Sequence, residues 1–85
     1  MVNYGKSLRV VRAVKELTQG QVAESAAISA NYVSMIESGL RAPSTDVLLA
    51  IAKALNVPVW ALVVIGSDDV PNDVHGAAMA TLVKP

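Results

Sequence analysis

The sequence predicts an all-α fold: a compact domain of five short helices with a short C-terminal extension. Three observations predict it. Apolar residues recur at spacings of three and four in successive segments, as the inward stripe of a helix requires. Ser or Thr stands at the head of several segments, where a side-chain oxygen can accept from a free N–H of the first helical turn. The breaks between segments are only a few residues long, which suits neighbouring helices sharing one core.

The first helix is expected from about Tyr4 to Glu16, with Leu8, Val11 and Val14 on one stripe, Leu17 extending it, and Lys6, Arg9 and Lys15 off it. Thr18 then reads as an N-cap, and Gln21 three residues on completes a capping box. The second helix spans roughly Gln19 to Ala26, with Val22, Ala23 and Ala26 inward. Ser29 caps a third, from Ala30 to about Ser38, whose inward set is Val33 and Ile36 with Tyr32 at the edge. Gly39 suits the left-handed position past that helix. Ser44 caps a fourth, Thr45 to Leu55, with Asp46 at its positive end and Val47, Leu48, Ile51, Ala52 and Leu55 buried. Asn56 ends it. Pro58 suits the first turn of a fifth, about Val59 to Ile65.

Beyond that the pattern stops. "GSDDVPND" is acidic and turn-rich and reads as a linker. "VHGAAMATLVKP" fits a short helix or a strand, and Gly76 weakens either. The chain is therefore divided into a domain over residues 1–66 and a linker with C-terminal segment over residues 67–85 that is open to a part in a dimer interface.

Composition bounds the function. Eighty-five residues make one small domain, and 53% apolar content suits a packed core, not a disordered chain. The absence of cysteine excludes disulfides and thiolate metal sites. The longest apolar run, Val57 to Ile65, is too short to span a bilayer and contains Pro58. The N-terminal "MVNYGKSLRV" has no apolar core of a signal peptide. A soluble, cytoplasmic protein with no membrane association is expected. Net charge is zero, but Lys6, Arg9, Arg12, Lys15 and Arg41 outnumber Glu16, Glu24 and Glu37 in residues 1–43. Lys53 and Lys84 face four aspartates in the rest. The first half is mildly basic and the second mildly acidic.

His75 is the only histidine, and a single histidine among linker acids reads as solvated. No nucleophile elbow or other catalytic setting surrounds the Ser, His and Asp residues. No enzyme activity, metal, cofactor or small-molecule ligand is expected.

In "TQGQVAESAAISANYVSMIESG", Thr18 to Gly39, two amphipathic runs meet at "AAIS" with almost no room for a loop. Small residues there let the second and third helices cross closely, which is a helix-turn-helix pattern. Together with Arg12, "RAPS" and "LLAIAKALNV", this stretch resembles the DNA-binding domain of the phage repressor and Cro family, the lambda-repressor-like or xenobiotic-response-element-like domain shared with many bacterial regulators. The resemblance covers residues 8–62. Two departures stand out: the family usually has Gly where Ala27 sits, in a turn of positive φ, and often has Gly where this chain has Glu16.

The resemblance implies a sequence-specific transcriptional regulator, most simply a repressor, that binds double-stranded DNA as a homodimer on a pseudo-palindromic operator. It places the third helix in the major groove with Ala30, Asn31 and Met35 at base edges and Ser34 beside them; Ser29, the cap that opens that helix, is counted with the DNA-binding residues. Asn31 suits bidentate pairing with adenine, and Ala30 and Met35 suit apolar contact with a thymine methyl. Tyr32 and Ser34 are candidate phosphate donors. Gln19 matches a phosphate-gripping position at a helix start, and Arg41 one near the DNA backbone. Each has a plainer reading: Gln19 as a solvated first-turn residue, Tyr32 as a partly buried ring, Met35 as surface filler. Arg12 and Glu37 match a largely buried family salt bridge between the first and third helices, which gives them a structural role.

The fifth helix offers more apolar surface than a small domain can use, so Val59, Trp60, Leu62 and Val63 are expected at a dimer interface. The alternative function is an antitoxin or protein-interaction module of the same fold, binding a partner protein such as a toxin through that face.

Overall fold

The structure, a computed structural model, describes residues 1–83; the last two residues of the 67–85 segment lie outside the described residues. Six α-helices follow in order: α1 (Tyr4–Val14), α2 (Gln19–Ala26), α3 (Ala30–Glu37), α4 (Thr45–Leu55), α5 (Val59–Ile65) and α6 (Asn72–Ala80), with a 3-10 turn at Thr81–Val83. The described residues contain no strand. The chain is thus all-α, with one helix more than the five expected.

Helix starts are set by local chemistry. Thr18 and Gln21 form the full capping box: Gln21 N–H donates to Thr18 Oγ1 at 3.1 Å and Thr18 N–H donates to Gln21 Oε1 at 2.8 Å. Ser29 accepts from Tyr32 N–H at 3.0 Å and Ser44 from Val47 N–H at 3.3 Å. Asn3 caps α1, accepting from Lys6 N–H at 3.0 Å.

The ends of the first four helices share one device. Glu16, Ala27, Gly39 and Asn56 all have positive φ. In each case the following residue donates back five positions: Leu17 to Arg12, Ile28 to Ala23, Leu40 to Met35 and Val57 to Ala52. Leu17, Ile28 and Val57 then tuck against the core, whereas Leu40 is 80% exposed.

The core is built from Leu8, Val11, Val22, Val33, Ile36, Ile51, Leu55, Leu62 and Ile65 with small residues between them. Helix α2 packs on α3 and α4, α1 on α3 and α5, and α6 on α5. The hydroxyl of Ser7, fully buried, donates to the Leu62 carbonyl at 2.5 Å and joins α1 to α5. Among the described residues, no single helix is long and apolar enough to cross a membrane.

Two expectations are corrected, and one left open is decided. Val14, placed on the inward stripe of α1, is 46% exposed because the helix ends at it. Leu62, placed at a dimer interface, is 0% exposed: it points into the subunit's own core, where it cannot meet a partner. The C-terminal stretch, left between helix and strand, is helical, and it packs on α5 of its own chain with Ala78 and Leu82 buried there. That covers part of the α5 apolar surplus within the subunit.

Candidate nucleic-acid interface

Helix α3 has two unlike sides. Val33, Ile36 and Glu37 are buried, whereas Ala30, Asn31 and Ser34 are exposed and Met35 is half-buried. Eight residues make about two turns, so the exposed set forms one short strip rather than a ring. Asn31 Nδ2 lies 3.4 Å from Met35 Sδ, one turn along that strip. Thioether sulfur is a weak acceptor, so this contact orients the amide without consuming its capacity for a stronger partner.

At one end of the strip, Ser29 uses its oxygen lone pair on the Tyr32 N–H and keeps its own proton to give. At the other, the chain turns through Gly39 into Arg41. The Arg41 guanidinium lies 4.4 Å from the centre of the Tyr32 ring, a cation–π contact. Tyr32 is half-buried and Arg41 exposed. The stack ties the α3–α4 loop to the first turn of α3 and keeps a cation beside the strip.

Helix α2 begins next to this surface. The capping box occupies the Gln21 N–H, while the Gln19 and Gly20 N–H groups have no intrahelical acceptor by helix geometry. A Cβ on Gly20 would meet only Thr18 Oγ1, at 3.9 Å, so that end is open. Open N–H groups and the positive end of the helix dipole favour an anion there. Gln19 is half-buried and its Nε2 donates to Glu37 Oε1 at 3.2 Å.

Arg12 and Glu37 hold the two-helix unit against α1. Arg12 Nε donates to Glu37 Oε2 at 2.8 Å and Nη2 to Oε1 at 2.9 Å, a bidentate pair. Nη1 donates to the Leu17 carbonyl at 3.0 Å, at the turn into α2. The Glu37 side chain is 5% exposed and that of Arg12 25%. The hydrogen bond to Glu37 raises the proton affinity of the guanidinium, against the opposing effect of its burial, so Arg12 stays charged.

Sequence reasoning missed two contributors. Arg9, taken as part of a solvated face, sends Nη1 to the Glu37 backbone carbonyl. Gly5 lets α1 run hard against the last turn of α3. Neither carries a local signal, because each acts on a residue about thirty positions away.

A Cro/C1-type helix-turn-helix family model matches residues 8–59. The chain belongs to this helix-turn-helix family. It is a family of DNA-binding regulators, not of enzymes. An HTH-type transcriptional regulator of Mycobacterium tuberculosis is 43% identical over 60 residues, covering 71% of this chain and 43% of that protein. The immunity repressor protein of Bacillus phage phi105 is 39% identical over 59 residues, covering 69% of this chain and 41% of the repressor. The chain thus matches less than half the length of these two relatives. Among solved structures, the restriction-modification controller protein C.AhdI from Aeromonas hydrophila superposes with a TM-score of 0.69 at 33% identity, covering 72% of this chain and 92% of that one. The clp gene regulator ClgR from C. glutamicum superposes with a TM-score of 0.72 at 30% identity, covering 75% and 83%. The family match ends at residue 59, so most of α5 and all of α6 lie beyond it.

Proposed function

We propose that this protein is a cytoplasmic transcriptional regulator, acting as a repressor, that reads a pseudo-palindromic operator through the major groove as a homodimer. The observation that carries the reading is the two-sided α3: buried Val33, Ile36 and Glu37 fix its pose, and exposed Ala30, Asn31 and Ser34 face out with Met35. The B-DNA major groove admits one helix, and residues near the start of that helix reach base edges. Asn31 reads adenine, Ala30 and Met35 offer apolar contact, and Ser29, Ser34, Tyr32, Arg41 and Gln19 serve the backbone. The relatives named as a phage repressor and a controller protein support the regulatory sense of this reading.

A second subunit supplies what one lacks. Asn31 is the single strongly base-reading polar side chain on α3, and two copies on a twofold site double it. With Leu62 withdrawn into the core, the dimer surface falls to Trp60, 47% exposed, and to half-buried Val59 and Val63.

Binding titrations on a preferred duplex and on scrambled ones test the assignment. Asn31→Ala loses about 1–3 kcal/mol on the preferred duplex and relaxes one base position. An Asn31→Ala protein with an unchanged preference would put another face in the groove.

A further inference from the structure

The Glu37 carboxylate has more partners than an ion pair needs. Oε2 accepts from Arg12 Nε at 2.8 Å, and Oε1 accepts both from Arg12 Nη2 at 2.9 Å and from Gln19 Nε2 at 3.2 Å. The backbone carbonyl of the same residue accepts from Arg9 Nη1. Three helices meet at this one residue: α1 through the two arginines, the first turn of α2 through Gln19, and the last turn of α3 through Glu37 itself.

An amide nitrogen carries two protons. One from Gln19 goes to Glu37, and the other remains for an acceptor outside the protein. It lies at the helix start, where the backbone N–H groups and the dipole already favour an anion. A carboxylate so near would repel that anion if it stood alone. The bidentate Arg12 guanidinium on the carboxylate offsets its charge. A glutamine held in advance has also lost rotamer freedom that a free one would lose on binding.

We infer that Glu37 is a positioning residue for phosphate binding. It orients the Gln19 amide at the start of α2 and fixes that start relative to α3, so that backbone grip and base reading engage the duplex in one register. The inference rests on the DNA-binding reading above.

The test replaces the ion pair without unbalancing charge. Exchanging a buried pair for apolar residues of similar size is often neutral or stabilising, so Arg12→Met/Glu37→Met is expected to fold, as its denaturation midpoint will show. Affinity for a preferred and a scrambled duplex is measured for wild type, Gln19→Ala, the double variant and the triple variant. The double variant binds both duplexes about tenfold more weakly, the worth of one well-placed hydrogen bond, and Gln19→Ala then costs less than about twofold further. A purely structural ion pair would leave the Gln19→Ala effect the same size in both backgrounds, and that result, or wild-type affinity in the double variant, overturns the inference while leaving the DNA-binding reading intact. A wild-type protein that prefers no duplex overturns the reading and the inference together. Should the double variant fail to fold, solvent exchange of the Gln19 Nε2 protons in the wild type decides: exchange slower than for the exposed Asn72 amide is expected, and equal rates overturn the inference.

Discussion

A methyl group on Gly5 would stand 2.6 Å from the carbonyl oxygen of Ile36 and 2.8 Å from that of Glu37. Both are backbone atoms in the last turn of α3, and neither can swing aside. In an open helix Gly→Ala gains up to about 1 kcal/mol from propensity. Here the clash outweighs it, since overpacking a close contact costs about 1–3 kcal/mol. Gly5→Ala therefore lowers the urea midpoint, and it lowers DNA affinity further by displacing α3.

Ala27 gives the opposite sign. Its φ of 56° is a left-handed conformation that costs a residue with a Cβ about 1–2 kcal/mol. Glycine removes that strain but loses about 0.4–1 kcal/mol through greater freedom in the unfolded chain. The balance favours Ala27→Gly by about 0.5–1 kcal/mol, read as a higher thermal midpoint with unchanged DNA preference. Glu16, with φ of 57° at the end of α1, is exposed and responds the same way to Glu16→Gly.

Glu37→Gln removes the countercharge of Arg12 while keeping the shape. Breaking a buried pair on one side costs about 3–5 kcal/mol, and the partial exposure of Arg12 sets the expectation at the lower end, about 3 kcal/mol. Chemical denaturation checks it, and an unchanged midpoint would contradict the structural role of the pair.

How legible each element was depended on the reach of the interaction behind it. The caps at Thr18, Ser29 and Ser44 act within three residues, so the sequence displays them, as it does the αL position at Gly39; alanine gives no such signal, and the αL turn at Ala27 is implied by the family resemblance alone. Helix α6 was not legible because Gly76, Ala77, Ala78 and Ala80 show no apolar period; Ala78 is fully buried with a single methyl group to mark it. Helix α5 is apolar on all sides, so no pattern separates inward Leu62 from outward Trp60. In the site, the strip on α3 follows from periodicity and resemblance. The Arg9 and Gln19 contacts to Glu37 join residues 28 and 18 positions apart, and only the packed structure brings them together.

The proposed dimer has a test suited to the corrected surface. Leu62→Glu would bury a charge and unfold the subunit, so it cannot probe an interface. Trp60→Glu changes an exposed position and leaves the core intact. Sedimentation at micromolar concentration is expected to show a dimer for the wild type and a monomer for Trp60→Glu, with matching circular dichroism. A wild-type monomer, or a Trp60→Glu dimer, would remove the α5 face from the interface.

The most direct measurement is an unbiased selection from a random double-stranded DNA pool with the purified protein, repeated with Asn31→Ala. The expected result is an enriched pseudo-palindrome whose half-site centres are about 34 Å apart, one helical turn, with an adenine position that loses its preference in Asn31→Ala. A pool that stays random, or an enriched motif identical for both proteins, would contradict a regulator that reads its operator through α3.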